Sequence, residues 1–215
     1  MGSDGDSERL LVSYLTLRKA IGYLGIGLPV VLIVGDLLLS ENPGLQPTIS
    51  DYYRTVMSGV LVGILFGVGV FLFSYDGYEK ADRIAGWAAC AFAIAVALFP
   101  VSSESDFVRT VHVVSAIAMF LVLAYFSLFL FTKSKESSNP TPRKLVRNRV
   151  YVTCGLAIIG CLGLIGIYYW LLDETAIKDL NPVLWLESVA LWAFGISWFI
   201  KGEALLGDKS RSTTE

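Results

Sequence analysis

VHVVSAIAMFLVLAYFSLFLFT, residues 111–132, runs for 22 residues without an Asp, Glu, Lys or Arg. At 1.5 Å per residue, a helix of that length spans about 33 Å, enough to cross a hydrocarbon core of ~30 Å. A surface helix of a soluble domain would break such a run every few residues, because one of its faces meets water. The stretch reads as a transmembrane helix.

Five further stretches read the same way: 20–39, 55–74, 84–101, 150–172 and 182–200. The whole chain agrees with them. Of its 215 residues 54 % are hydrophobic and 17 % charged, against about 25 % charged in soluble domains. Mean hydropathy is +0.62. The expected fold is all-α: a polytopic bundle of six transmembrane helices over 20–201, with a cytoplasmic segment at 1–19 and a cytoplasmic tail at 202–215. Leu10, Leu11, Tyr14 and Leu15 have helical spacing, so the first segment is expected to lie on the membrane surface. The first span is full length and lacks a small-residue cleavage pattern, which makes it an expected uncleaved anchor.

Orientation follows from the basic residues. Arg9, Arg18, Lys19, Lys80, Arg83, Lys133, Lys135, Arg143, Lys144, Arg147, Arg149, Lys201, Lys209 and Arg211 fall on one side of this topology. Only Arg54, Arg109 and Lys178 fall on the other, which carries the acidic Glu41, Asp51, Glu104, Asp106, Asp173, Glu174 and Asp179. Fourteen against three places both termini in the cytoplasm of an inner membrane. Aromatic belts are expected at headgroup level: Tyr52, Tyr53, Tyr168, Tyr169, Trp170 and Trp185 outside, Tyr75, Tyr78, Trp87, Tyr151 and Trp198 inside.

Small residues supply close helix approach in lipid, where no hydrophobic drive separates helix from solvent. Gly59, Gly63 and Gly67 form a ridge in the second span, Ala85, Ala89, Ala93 and Ala97 another in the third, and Gly160, Gly163 and Gly166 line the fifth. Helix packing is the expected role. Pro29 is expected to kink the first span by freeing a carbonyl. Cys90, Cys154 and Cys161 sit within spans without metal-ligand spacing and read as packing residues.

Ionisable groups in hydrocarbon are costly and mark candidate sites. Here they gather near the outer face: Asp36 at the end of the first span, Asp51 and Arg54 at the mouth of the second, His112 in the fourth and Glu187 in the sixth. The inner half has no comparable set on this reading. Asp51 and Arg54, three apart, are expected to pair, with Ser50 capping their helix. Arg54 would hold an anion, His112 would act as an acid–base group, and Glu187 is the deepest carboxylate. Asp36, Asp51, Arg54, His112 and Glu187 are the expected pocket, with His112 and Glu187 the only catalytic candidates. One histidine is too few for the usual zinc sites, so neither a metal nor another cofactor is expected.

The segment 133–149, with Pro140, Pro142 and six basic residues, could attract anionic headgroups. Nucleic-acid binding is not expected, because no basic domain with interleaved aromatic residues is present. Nucleotide-binding, serine-hydrolase and zinc-protease motifs are absent as well.

Ile49-Ser50-Asp51-Tyr52-Tyr53-Arg54-Thr55, the span exit Phe71-Leu72-Phe73-Ser74-Tyr75-Asp76-Gly77-Tyr78, Ala97-Leu98-Phe99-Pro100 and Trp192-Ala193-Phe194-Gly195-Ile196-Ser197-Trp198 together resemble a group of small six-helix bacterial membrane proteins of unknown function. The resemblance implies the same topology and no activity. Membrane hydrolases related to alkaline ceramidases and adiponectin receptors bind zinc through three histidines within seven helices; one histidine and six helices depart from that pattern. The expected function is an outward-facing pocket for a lipid headgroup or small amphiphile. The rivals are a lipid-modifying enzyme, a proton- or ion-coupled carrier, and an assembly protein that binds a further chain, including a second copy of itself, through the Gly59–Gly67 ridge. Membrane lipids are the expected partners.

Overall fold

A computed structural model describes residues 3–75, 77, 79–133, 142–172 and 177–202, with side chains described from Tyr14 onward and not at residue 172. Tyr78, Lys135, Pro140, Asp173, Glu174, Lys209, Arg211 and the tail beyond Gly202 lie outside the described residues, as do the side chains of Leu10 and Leu11.

The described residues form six main helices: α1 (Ser3–Leu39), α2 (Ser58–Phe73), α3 (Lys80–Leu98), α4 (Asp106–Tyr125), α5 (Pro142–Ile167) and α6 (Pro182–Lys201). α4 and α5 each continue through a wider π turn, Phe126–Leu130 and Tyr168–Leu172. Five of the six are long and apolar enough to cross a membrane; α2, at 16 residues, is the shorter apolar one. The helices close into a ring, each packed on its neighbours in sequence, and α6 returns to α1.

Two boundaries differ from the sequence reading. Residues 3–19 are not a separate helix, because α1 runs unbroken through them and past a buried Pro29. The second main helix starts at Ser58 rather than residue 55. Ser50–Arg54 is a separate 3-10 turn, and Thr55 ends it in an extended conformation while its side chain takes the Tyr52 carbonyl and receives the Met57 N–H.

The glycine ridge of α2 is not where the helices meet. A Cβ at Gly59 or Gly63 would have nothing within 4 Å, and one at Gly67 only Leu24 at 3.6 Å. The same emptiness surrounds Gly160, Gly163 and Gly166 of α5. Close approach occurs instead where α1 crosses α6: a Cβ on Gly195 would lie 2.8 Å from the Gly22 carbonyl. α2 and α3 also touch closely, with a Cβ on Gly86 2.5 Å from the Leu72 carbonyl. The alanine ridge of α3 is used as expected, since Ala85, Ala89, Ala93 and Ala97 are all buried.

The aromatic belts are thinner than the sequence suggests. Trp87, Tyr169, Trp170 and Trp185 are exposed on the bundle's exterior. Tyr52, Tyr75, Tyr151, Tyr168 and Trp198 are buried among protein instead. At one end of the bundle Tyr75, Phe126, Phe131 and Trp198 form an internal cluster with ring centroids 5.0–5.8 Å apart. Edge-to-face contact at such distances adds about 0.5–1.5 kcal/mol per pair beyond area burial.

Candidate functional site

The chain between α1 and α2 folds over the end of the ring and is stitched to three helices. Pro47 accepts the Leu184 N–H of the first turn of α6 at 3.0 Å, a donor left open because helix N-termini lack internal acceptors. The Ile49 N–H donates to Glu187 Oε2 at 2.7 Å, and the Tyr53 hydroxyl donates to the Ala97 carbonyl at the end of α3 at 3.2 Å. These contacts fix Ser50 above the middle of the bundle.

His112, buried in α4, lies between two partners. Nδ1 is 2.7 Å from the carbonyl of Phe99, the residue that ends α3, and Nε2 is 2.9 Å from Ser50 Oγ. A carbonyl can only accept, so Nδ1 carries the proton of the neutral ring and Nε2 presents its lone pair. The Ser50 hydroxyl therefore donates to His112. Glu187, half-buried, faces the same space from α6.

Two cavities meet at these groups. One of about 40 Å³ sits on the bundle axis between Leu28, Leu61, Leu65, Val96 and Leu191, with Ser50, His112 and Glu187 as its polar wall. That is room for about one water with three polar partners. The second, of about 260 Å³, opens between α4, α5 and α6; Ile117, Phe120, Leu162, Ile165 and Val183 make it apolar, and the same three polar residues close one end. It shares Thr48, Tyr169 and Val183 with a polar vestibule of about 430 Å³ that Asp51, Lys178, Asp179 and Asn181 border. The assembly has a greasy inside and a wet mouth.

The five residues expected to form one pocket are divided. His112 and Glu187 share both inner cavities, whereas Asp51 borders only the vestibule. Asp51 does not pair with Arg54, which is exposed; its carboxylate takes the Thr48 hydroxyl at 2.8 Å, and its N–H returns to that hydroxyl at 3.1 Å. In this 3-10 turn the Asp51 carboxylate is taken up by the Thr48 hydroxyl, while Arg54 stays on the exposed surface. Asp36 is fully enclosed in the last turn of α1 with neither carboxylate oxygen hydrogen-bonded, and it lines none of the three cavities. The Tyr52 hydroxyl is likewise buried. Burial pushes its phenol up, the Gln46 backbone N–H pulls it back by hydrogen bonding, and the Asp36 carboxylate adds to the rise. Ser50 serves the imidazole and no helix cap; the residue at the start of the turn, Ile49, has no side-chain cap hydrogen bond.

The other end of the bundle carries buried polar groups that fall outside the spans expected from the sequence. Arg18 is buried against the Tyr14 ring, 4.1 Å from its centroid, and donates to the last carbonyl of α6, that of Lys201, at 3.2 Å. Buried Asp82 receives the Glu79 N–H at 2.8 Å and closes a reciprocal cap on α3. That end of the bundle, expected to be apolar, thus carries charge as well. Among the described residues no group of three or more His, Cys, Asp or Glu is placed to hold a metal ion. No known protein family, characterised protein or solved structure matches the chain.

Proposed function

We propose that the chain is a bacterial inner-membrane protein of six crossings with both termini cytoplasmic, and that it binds one lipid or small amphiphile in the cavity between α4, α5 and α6. The observation that carries this reading is the graded chamber: about 260 Å³ of apolar space with Ser50, His112 and Glu187 at one end, adjoining a charged vestibule. An alkyl chain suits the first and a polar head the second. The size fits too, since ligand pockets start near 300 Å³ and the vestibule adds to the chamber. A coupled carrier would need polar groups continuing inward, and the central cavity is walled there by Leu28, Leu61, Leu65 and Leu191.

The bias of basic residues supports the orientation, and α2 supports the sixth crossing with about 24 Å of apolar helix. A Lys178→Cys variant in whole cells is expected to react with a membrane-impermeant maleimide, while Arg143→Cys is not. The opposite pattern ends the outward-facing reading. The pocket is tested by Ala116→Phe, which places a ring in both cavities. Lipid extracted from the purified wild-type protein is expected to contain a stoichiometric amphiphile, and the variant to retain at least tenfold less. Equal retention would remove the pocket.

A further inference from the structure

We propose that Ser50 is a nucleophile, activated by His112, which accepts an acyl group from a carboxylic ester lodged in the chamber. The inference rests on the amphiphile reading of the same cavity and assigns it a reaction and a substrate class. Its basis is geometry. Ser50 Oγ, His112 Nε2, His112 Nδ1 and the Phe99 carbonyl form a relay at 2.9 and 2.7 Å, with the imidazole held in the tautomer that can take the serine proton. The elements that make the relay are far apart in the chain, 62 residues between Ser50 and His112, so no local turn forces them together. Ser50 is only half-buried and borders both inner cavities.

Depth selects the substrate. Ser50 stands at the polar end of the apolar chamber, two residues from Thr48, which the chamber shares with the vestibule, and in an ester lipid the carbonyl lies likewise between acyl chain and head. An acyl chain along Ile117, Phe120 and Leu162 would bring its ester carbon to Ser50 while Lys178 and Asn181 border the head. Oγ then bonds to the carbonyl carbon as its proton passes to Nε2. Collapse of the tetrahedral adduct breaks the bond to the alcohol oxygen, which takes the proton from Nε2 and leaves as the free alcohol. Water from the vestibule repeats the sequence on acyl-Ser50, with His112 again accepting and returning one proton, and releases the carboxylic acid. The Ile49 N–H, one residue before the nucleophile, is committed to Glu187 rather than free for a developing oxyanion. Turnover of unactivated esters is accordingly expected to be slow.

The full chain in mild detergent would be treated with a long-chain alkyl fluorophosphonate, whose phosphorus stands in for the ester carbon and whose fluoride leaves. The expected result is one adduct per chain, mapped by peptide mass to Ser50. Ser50→Ala abolishes it, and His112→Gln, which cannot take the proton, slows it at least 100-fold. An adduct on any other residue overturns the proposal whatever the variants do, as does wild-type labelling speed in a His112→Gln preparation that still elutes as one species. A wild-type protein that retains its amphiphile but takes no label overturns the acyl-transfer proposal and leaves the pocket standing. A protein that neither retains nor labels overturns both.

Discussion

The two ends of this bundle handle buried polarity in opposite ways. At one end, His112 and Glu187 are tied to backbone on one side and face open space on the other, although Asp36 nearby stays enclosed. At the end of Arg18 and Asp82, aromatic rings cover the guanidinium, the carboxylate caps a helix, and none of the three cavities reaches them. A charge that is enclosed and committed holds helices together; a polar group beside a void is available for a ligand. Substitutions at the closed end should therefore cost stability, and substitutions at the open end should cost binding or reactivity.

The sharpest break of that contrast comes from Asp82→Ala. It removes the reciprocal cap of α3 and a buried charged acceptor, which is worth about 2–3 kcal/mol. Thermal unfolding in detergent should show a drop of roughly 5–10 °C, on the scale for a domain of this size, with amphiphile retention unchanged before melting. A loss of retention without a change in Tm would reverse the assignment of the two ends. Next comes Gly195→Ala, whose Cβ would meet the Gly22 carbonyl at 2.8 Å and the Ile26 nitrogen at 2.9 Å. Forcing α1 from α6 should cost about 1–3 kcal/mol. Gly63→Ala is its control: open space surrounds that position, so better helix propensity should make the change neutral or favourable by up to about 1 kcal/mol. If Gly63→Ala melted first, the exposed ridge would be packed against something else. Ser50→Ala, at the open end, gives up one hydrogen bond beside a cavity. It should move stability by only about 1 kcal/mol while abolishing phosphonate labelling.

The same contrast explains what could be read from the sequence. Long apolar runs announce spans because lipid demands them, and the boundaries of α3, α4 with its π turn, and α6 follow within about five residues, whereas α5 starts at Pro142, eight residues before the apolar run does. His112 and Glu187 stood out as ionisable groups inside apolar stretches, and they do border one cavity. Ser50 did not, because a serine beside Asp51 looks like a cap and its true partner is 62 residues away. Arg18 was counted only as a basic residue that sets orientation, and Asp82 was not singled out at all; the burial of Arg18 depends on Tyr14, Tyr75 and the end of α6 arriving from elsewhere in the chain. Glycine spacing misled for a related reason. The even repeat Gly59, Gly63, Gly67 marks a flat face but not what lies opposite, whereas the contacts that matter, Gly22 with Gly195, form no repeat within one helix.

The smallest effect separates two surface pairs, one at each end. Lys133 Nζ lies 2.7 Å from Glu79 Oε2 at the closed end, and Arg109 pairs with Asp106 at the open one. The hydrogen bond to Glu79 raises the Lys133 ammonium above its ordinary value. A group whose folded-state value is raised stabilises fully below its unfolded value, near 10.5, and loses that contribution as pH climbs through the folded value. A guanidinium keeps its charge throughout, so the Arg109 pair is silent over this window. Tm should thus be flat from neutral pH up to about 10 and bend slightly downward above it. Lys133→Met should remove that bend, and 1 M salt, with a screening length of about 3 Å, should shrink it. If the bend survived Lys133→Met, it would come from another group that titrates in this window, the buried Tyr52 phenol foremost, and not from the lysine that ties α4 to the cap of α3.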